Sequence, residues 1–148
     1  MLADFGDSDL LCYRAAGPDA LIEKQAAAWN PLLDWAASAL GARLSVGQGV
    51  MHVAQSPEAL DRMRARVAAF DEFALAGAHD LISISGSLVL ALAVIDGRLT
   101  AKQAWDLSRV DEDWQISQWG ADEEAAAVAA TKLTAFKDAH RFYELSQA

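Results

Sequence analysis

Apolar residues recur at helical spacing between Gly17 and Gly41. The pattern predicts a helix that begins at Pro18, because proline suits the first helical turn, and that ends at Gly41 in a left-handed cap. Asn30-Pro31 interrupts the pattern, since proline has no N–H group and clashes with the preceding turn. We therefore expect either a kink there or a second helix capped by Asn30. The recurring positions are Leu21, Gln25, Trp29, Leu32 and Leu33.

Two more helices are predicted in the middle of the chain. Ser56-Pro57 is a start signal for the first of them, and Asp71 is placed to cap the second. The second pattern continues to Ile95. From Leu81 to Ile95 it is apolar nearly all round, which is typical of a helix at the centre of a domain.

The last third of the chain predicts two further helices. Thr100 is expected to cap one that ends with Trp119 before Gly120. Asp122 is expected to begin the other, which is rich in alanine. The sequence has no internal repeat and no linker, so residues 1–148 are predicted to form a single helical domain.

Strand character is confined to residues 43–53. Leu44 and Val46 alternate with polar residues there, and Gly47-Gln48-Gly49 is suited to the turn of a small hairpin. The expected fold class is therefore mainly α. It is a multi-helical domain with a central apolar helix and at most one short strand or hairpin near residues 43–53.

Composition supports a helical fold and limits the possible partners. Hydrophobic residues make up 53% of the chain, and many of them are alanine, the best helix former. The formal net charge of −9 disfavours nucleic acid and anionic membranes, which are themselves polyanions. The longest apolar stretch is shorter than the roughly 20 residues that a membrane crossing needs, so no membrane insertion is expected. Cys12 is the single cysteine, which excludes an internal disulfide and a cysteine-based zinc cluster.

Known catalytic motifs do not occur in the sequence. His52, His79 and His140 fall on three predicted elements, and no two of them have the i, i+4 spacing of a helical zinc site. We therefore expect a protein that is not an enzyme, with no cofactor, no metal and no small-molecule substrate. A hydrolase or metal enzyme that uses His79-Asp80 with a carboxylate such as Glu112 is an alternative of another class.

The segment from Trp105 to Trp119 is the most informative about function. On one continuous helix, five of its residues fall within roughly 80° of one another and form a stripe with a tryptophan at each end. They are Trp105, Ser108, Glu112, Gln115 and Trp119. Two interpretations are open. In the first, both tryptophans pack in a seam between helices. In the second, they anchor a recognition surface, since tryptophan with a polar surround is typical of interface hot spots.

Acidic residues are concentrated around this stripe. Between Thr100 and Glu124, seven acidic residues against two basic ones leave −5 of the chain's net charge of −9. Acidic runs most often form a solvated face. Beside two tryptophans, however, they favour steering toward a basic partner.

Four short motifs occur in order along the chain between Asp9 and Phe142. They are Asp9-Leu-Leu-Cys-Tyr-Arg14, Gln25-x3-Trp29-x-Pro31-Leu-Leu-x-Trp35, Gly86-Ser-Leu-Val-Leu-Ala-Leu92 and Leu107-Ser-Arg-Val-Asp-Glu112-x2-Gln115-x3-Trp119-Gly120-x2-Glu123. Together they resemble the ATP-twelve family of chaperones, which assist assembly of the catalytic head of the F-type ATP synthase.

The resemblance implies a non-catalytic function. Such proteins bind the free α subunit of the ATP synthase, shield the surface that later meets a β subunit, and hydrolyse no nucleotide. The α subunit is released as the α–β hexamer forms. The matching positions are Glu112, Gln115, Trp119 and Glu123, with Asp9 and Arg14 next, and the stripe adds Trp105 as a partner-binding candidate. The two glutamates are expected to contact the α subunit or to brace the binding surface. The alternative is a helical adaptor or regulatory domain with another protein partner.

The resemblance also implies an organisation and a location. Family members carry an N-terminal β-rich domain that nothing in this sequence matches, so we expect residues 1–148 to correspond to the helical C-terminal domain. The expected location is the cytoplasm of a bacterium, or the mitochondrial matrix of a eukaryote.

Overall fold

Helices make up most of the structure. The computed structural model describes the backbone of residues 2–148 and the side chains from Asp4 onward. Seven α-helices, two 3-10 turns and one pair of two-residue strands occur in that range, which confirms the mainly α fold class. The helices are α1 (Asp19–Ala39), α2 (Pro57–Ala68), α3 (Glu72–Ser85), α4 (Leu88–Ile95), α5 (Ala101–Ser108), α6 (Val110–Trp119) and α7 (Glu123–Ser146). The strands are β1 (Tyr13–Arg14) and β2 (Gly47–Gln48), and the 3-10 turns span Leu2–Gly6 and Leu10–Cys12. None of the helices within residues 2–148 is long and apolar enough to cross a membrane.

The short helix α4 lies at the centre of the core. All residues from Leu88 to Val94 are buried, because α1, α3, α5 and α7 pack around them. Burying one Leu or Val side chain contributes about 1.5–3 kcal/mol to stability, and α4 buries three leucines and two valines. The predicted central apolar helix is therefore present, in a shorter form.

The single helix predicted from Asp71 to Ile95 is wrong, because the chain divides at Gly86 into α3 and α4. Gly86 adopts the left-handed conformation, with φ 73° and ψ 14°, which glycine reaches without the steric cost of a side chain. The Ser87 hydroxyl then accepts the N–H of Leu90 at 3.0 Å and caps α4. A glycine–serine pair inside an apolar run thus ends one helix and begins the next.

α3 packs along the second half of α7. Gly77 allows the close approach: a Cβ at that position would lie 3.1 Å from the Tyr143 Cβ and 3.2 Å from the Ala139 carbonyl oxygen. Phe70 and Tyr143 meet edge to face, with ring centroids 6.1 Å apart. Within α7, Phe136 and Ala139 are buried, and the first half of the helix stays at the surface.

α1 continues through Asn30-Pro31, so the alternative of a second helix capped by Asn30 is wrong. Pro31 removes one N–H donor, and its usual acceptor would be the carbonyl of Ala27. Both residues are exposed, so that carbonyl lies on the side of the helix that water reaches. The helix ends at Ala39, and Gly41 follows with φ 67°, as the cap prediction required.

β2 lies inside the segment with strand character, but it does not form a hairpin. It pairs in parallel with β1, with Tyr13 opposite Gly47 and Arg14 opposite Gln48. Parallel strands need a long connection, which α1 and its flanking loops provide here. The hairpin expectation failed because the partner strand lies near the N-terminus, far from the local turn.

The continuous helix predicted from Thr100 to Trp119 is also wrong, because it divides at Arg109 into α5 and α6. The backbone of Arg109 has φ −109° and ψ 16°, outside the α-helical range. The Ser108 hydroxyl donates to the carbonyl of Trp105 at 2.6 Å, and such side-chain bonds compete with the helical ladder. The five-residue stripe therefore does not lie on one face of one helix.

Candidate functional site

The break at Arg109 separates the two tryptophans of the predicted stripe. Trp105 on α5 is buried against α7, with its ring centroid 6.4 Å from that of Phe136. The guanidinium of Arg109 lies over the Trp105 ring, 5.4 Å from its centroid. Trp119, at the end of α6, is 83% exposed. Trp105 thus lies in a seam between helices, whereas Trp119 is accessible to a partner.

Glu112 and Gln115 lie on an exposed side of α6 and line an open groove of about 650 Å³ between α6 and α7. Glu123 is the first residue of α7 and is also exposed. An acid in this position is favoured by the helix dipole. Its sequence neighbours Asp122 and Glu124 line the groove. The structure therefore brings Glu112 and Gln115 together, with Glu123 beside the end of the same groove.

The surface of this α6–α7 groove is mainly apolar with charged borders. Ile116 and Val128 supply the larger side chains and are 42% and 55% exposed. Arg109 and Lys132 carry the positive charges of its lining. The other lining residues are Glu112, Gln115, Gly120, Ala121, Asp122, Glu124, Ala125, Ala126 and Ala129. Exposed apolar surface rimmed by polar residues is typical of a protein-binding site.

α6 contributes no buried residue to the core and is held mainly by α1. The Gln25 side chain on α1 donates from Nε2 to Asp111 Oδ1 at 2.6 Å. The indole N–H of Trp29 donates to the Leu107 carbonyl at 2.8 Å, just before α6 begins. These bonds fix the position of α6 while its other side faces the groove.

Sequence reasoning missed four residues of this region. Ile116 lies three residues before Trp119, and this helical spacing of exposed apolar side chains was an available signal. Val128 interrupts an alanine run, which was a second signal. Gln25 and Asp111 are 86 residues apart, so no local pattern connects them.

Asp9 is completely buried, and hydrogen-bond donors surround its carboxylate. Oδ1 accepts the N–H of Leu11 at 3.0 Å and the hydroxyl of Ser87 at 2.7 Å, and Oδ2 accepts the N–H of Val89 at 2.9 Å. Burial raises the pKa of Asp9 to about 6, although these hydrogen bonds oppose the rise. Asp9 therefore joins the N-terminal turn to the start of α4, away from the surface.

Arg14 is also buried, at 8% exposure, and follows Asp9 by one short turn. Its Nε donates to the Leu11 carbonyl at 2.8 Å, and its guanidinium lies 5.4 Å from the centroid of the Trp29 ring. Burial lowers the pKa of Arg14. Its Nη2 is buried and has no hydrogen-bond acceptor among the residues that the structure describes.

The histidines lie on separate parts of the fold. Nδ1 of His79 is 3.2 Å from the carboxylate of Asp80 on the exposed side of α3. His52 and His140 are each near one other carboxylate, at 3.6 and 3.8 Å. Among the described side chains, no group of three His, Cys, Asp or Glu residues is arranged to hold a metal ion.

Comparison with known proteins gives matches in sequence and in structure. Residues 1–37 match the family model described as ATP12 chaperone protein. The crystal structure of Atp12 from Paracoccus denitrificans superposes with a TM-score of 0.95 at 51% identity, over 98% of this chain and 62% of that one. The chain belongs to the ATP12 family.

Two further proteins match this chain. The Atu1473 protein from Agrobacterium tumefaciens superposes with a TM-score of 0.90 at 42% identity, over 97% of this chain and 54% of that one. The mitochondrial protein atp12 of Schizosaccharomyces pombe is 26% identical over 108 residues, which are 71% of this chain and 37% of that protein. The ATP12-family chain described here thus spans between 37% and 62% of the length of these relatives.

Proposed function

We propose that this ATP12-family chain acts as an assembly chaperone that binds the free α subunit of the F-type ATP synthase and keeps it from aggregating until it pairs with β. The observation that carries the proposal is the apolar surface of the α6–α7 groove. Ile116 and Val128 line the groove and are 42% and 55% exposed, and Trp119, at the end of α6, is 83% exposed, although side chains of this kind are usually buried.

The groove suits the work of a chaperone because an unassembled subunit exposes apolar surface that its neighbour later covers. Packing that surface against Ile116, Trp119 and Val128 removes it from water, at about 25 cal/mol for each Å² buried. The client surface is then unavailable for aggregation. Because the groove is open, the α subunit can leave when a β subunit competes for the same surface.

The candidate site residues have separate roles in this proposal. Glu112 and Gln115 line the groove, and Glu123 lies in the chain between its lining residues Asp122 and Glu124. The two glutamates steer a basic client and set its register more than they add affinity. Trp119 is the apolar anchor. Trp105, Asp9 and Arg14 are buried and do not line the groove. No bond is made or broken, so the function is binding and needs no cofactor.

The cellular location depends on whether the organism is a bacterium or a eukaryote. The relatives include a mitochondrial protein and proteins of two bacteria. We propose the cytoplasm for a bacterial form and the mitochondrial matrix for a eukaryotic one.

The test is a heat-aggregation assay of purified α subunit, followed by light scattering, with this chain at equal molarity. The β subunit serves as the control client. Suppression is expected for α and not for β. Equal suppression of both clients would instead indicate non-specific binding.

A pair of variants localises the effect to the groove. Val128→Glu places a charge in the groove, whereas Leu145→Glu changes an exposed apolar residue near the other end of α7. Val128→Glu should lose protection of the α subunit, and Leu145→Glu should keep it. Loss of protection in both variants, or in neither, would place the binding surface elsewhere.

A further inference from the structure

A second cavity, of about 390 Å³, shares the lining residue Gln115 with the α6–α7 groove. It forms where β1, the start of α1 and the turn after β2 meet α6, and it is open to the surface beside the fully exposed Val50. We call it the Arg14 cavity. Its walls include Tyr13, Arg14, Leu21, Val50, Asp111 and Gln115.

Arg14 is a buried cation without a matching anion. The Leu11 carbonyl accepts from its Nε, and the Trp29 ring lies beside its guanidinium, but neither carries a full negative charge. Arg14 forms no ion pair with a carboxylate of the described residues, and its Nη2 has no acceptor there. A buried guanidinium is normally paired with a carboxylate, because an unpaired buried charge is strongly unfavourable. The Arg14 guanidinium therefore keeps a buried hydrogen-bond donor that no described residue uses.

Gln25 and Asp111, two other polar residues of the cavity, are already paired within the protein. Gln25 accepts the N–H of Ala15 at 2.8 Å and donates to Asp111 at 2.6 Å. The remaining wall is largely apolar, with Leu21 and Val50 among its residues. Arg14 is thus the buried residue of this cavity with a guanidinium nitrogen, Nη2, that donates to no described residue.

We propose that the Arg14 cavity binds a single carboxylate carried on a peptide, the side chain of an aspartate or glutamate in a partner segment. The planar guanidinium matches a carboxylate in a two-point contact. The apolar walls suit the methylene groups of the same side chain. The negative charge of Asp111 in the same wall repels any anion, and it repels a dianion such as phosphate about twice as strongly as a single carboxylate, so the singly charged group is favoured of the two. This proposal does not rest on the chaperone function.

The experiment is a titration of the 15N-labelled protein, observed by NMR, with the peptide acetyl-Gly-Asp-Gly-amide. Acetyl-Gly-Asn-Gly-amide is the neutral control of the same shape. The aspartate peptide should shift the Nε–H signal of Arg14 and the amide signals of Ala15 and Val50 in a saturable way. The asparagine peptide should bind at least about tenfold more weakly, because it lacks the charge. Equal responses to the two peptides, or no response, would overturn the proposal.

Two charge substitutions at Gln115 test whether the peptide binds in the Arg14 cavity, and they leave the buried core unchanged. Gln115 is exposed and lines the cavity, whereas Gln118 is exposed on the same helix and does not line it. Gln115→Glu should weaken binding of the aspartate peptide roughly fivefold, and Gln115→Lys should strengthen it by a similar factor. The same changes at Gln118 should have little effect. Equal effects at both positions would contradict the assignment, as would tighter binding of inorganic phosphate than of the peptide.

Discussion

The carboxylate of Asp9 accepts a hydrogen bond from the hydroxyl of Ser87 at 2.7 Å, across 78 residues of sequence. Its second oxygen accepts the N–H of Val89 at 2.9 Å. One acidic side chain therefore holds the N-terminal turn on the first turn of the central helix α4. Arg14 follows shortly after in the chain, so its position depends on this attachment.

The free energy of unfolding should carry a pH dependence from Asp9. Its pKa is about 6 in the folded protein, above the ordinary 3.8, so the folded state holds this proton more tightly than the unfolded state. The resulting stabilisation is complete below about pH 3.8 and is lost as the pH rises through about 6. The difference between the two values corresponds to at most about 3 kcal/mol.

Urea unfolding of the natural protein and of Asp9→Asn between pH 4 and pH 8 measures this contribution. Asparagine does not titrate, so every other group cancels in the comparison. The free energy of unfolding of the natural protein, minus that of the variant, should decrease as the pH rises. A difference that is constant or increases with pH would show that the burial of Asp9 is misassigned.

Replacing Gly86 by alanine should destabilise the protein. Gly86 has φ 73°, a left-handed conformation in which a Cβ costs about 1–2 kcal/mol. A methyl group at Gly17 would meet no atom within 4 Å beyond its chain neighbours, and Gly17 is not left-handed, so Gly17→Ala is the matched control. Urea unfolding should show the loss for Gly86→Ala and a change within about 0.5 kcal/mol for Gly17→Ala. Equal changes would mean that the α3–α4 junction tolerates a side chain.

Substituting the two tryptophans of the predicted stripe by alanine should have different effects, one on the stability of the fold and the other on binding of the α subunit. Trp105 is buried against Phe136, so Trp105→Ala should lower the free energy of unfolding by about 3–5 kcal/mol. Trp119 is 83% exposed, so Trp119→Ala should change it by no more than about 0.5 kcal/mol. In the aggregation assay, Trp119→Ala should nevertheless protect the α subunit less well. Unchanged protection would remove Trp119 from the binding surface.

Glu123→Lys should abolish protection of the α subunit while leaving the helical circular dichroism intact. The exposed position of Glu123 limits the structural cost to the interaction with the α7 dipole, about 0.3–1 kcal/mol. Asp138→Lys, at an exposed position further along the same helix, makes the same change in net charge and should retain protection. Normal protection by Glu123→Lys would exclude Glu123 from the site.

The candidate site shows where local patterns are reliable and where they are not. Glu112 and Gln115 lie on one side of α6, as helical spacing predicted, because both fall after the break at Arg109. Trp105 falls before the break and points into the core instead. A helical wheel assumes one continuous helix axis. Because the backbone of Arg109 leaves the helical range, the side chains before it belong to a different helix from those after it.

Local sequence patterns were sufficient to predict the mainly α class and the capped starts of four helices, and to recognise the family motifs. Helix periodicity and capping depend on residues within about one turn of each other, so a short stretch of sequence is enough to predict them. The caps are Ser56, Asp71, Thr100 and Asp122.

Three features could not be predicted from local patterns: the parallel pairing of β1 with β2, the burial of Asp9 and Arg14, and the opening of the α6–α7 groove. These features rest on contacts between distant parts of the chain, such as Gln25 with Asp111 across 86 residues. Which polar groups are buried together depends on how the helices pack, and packing is a property of the whole fold that no local spacing records.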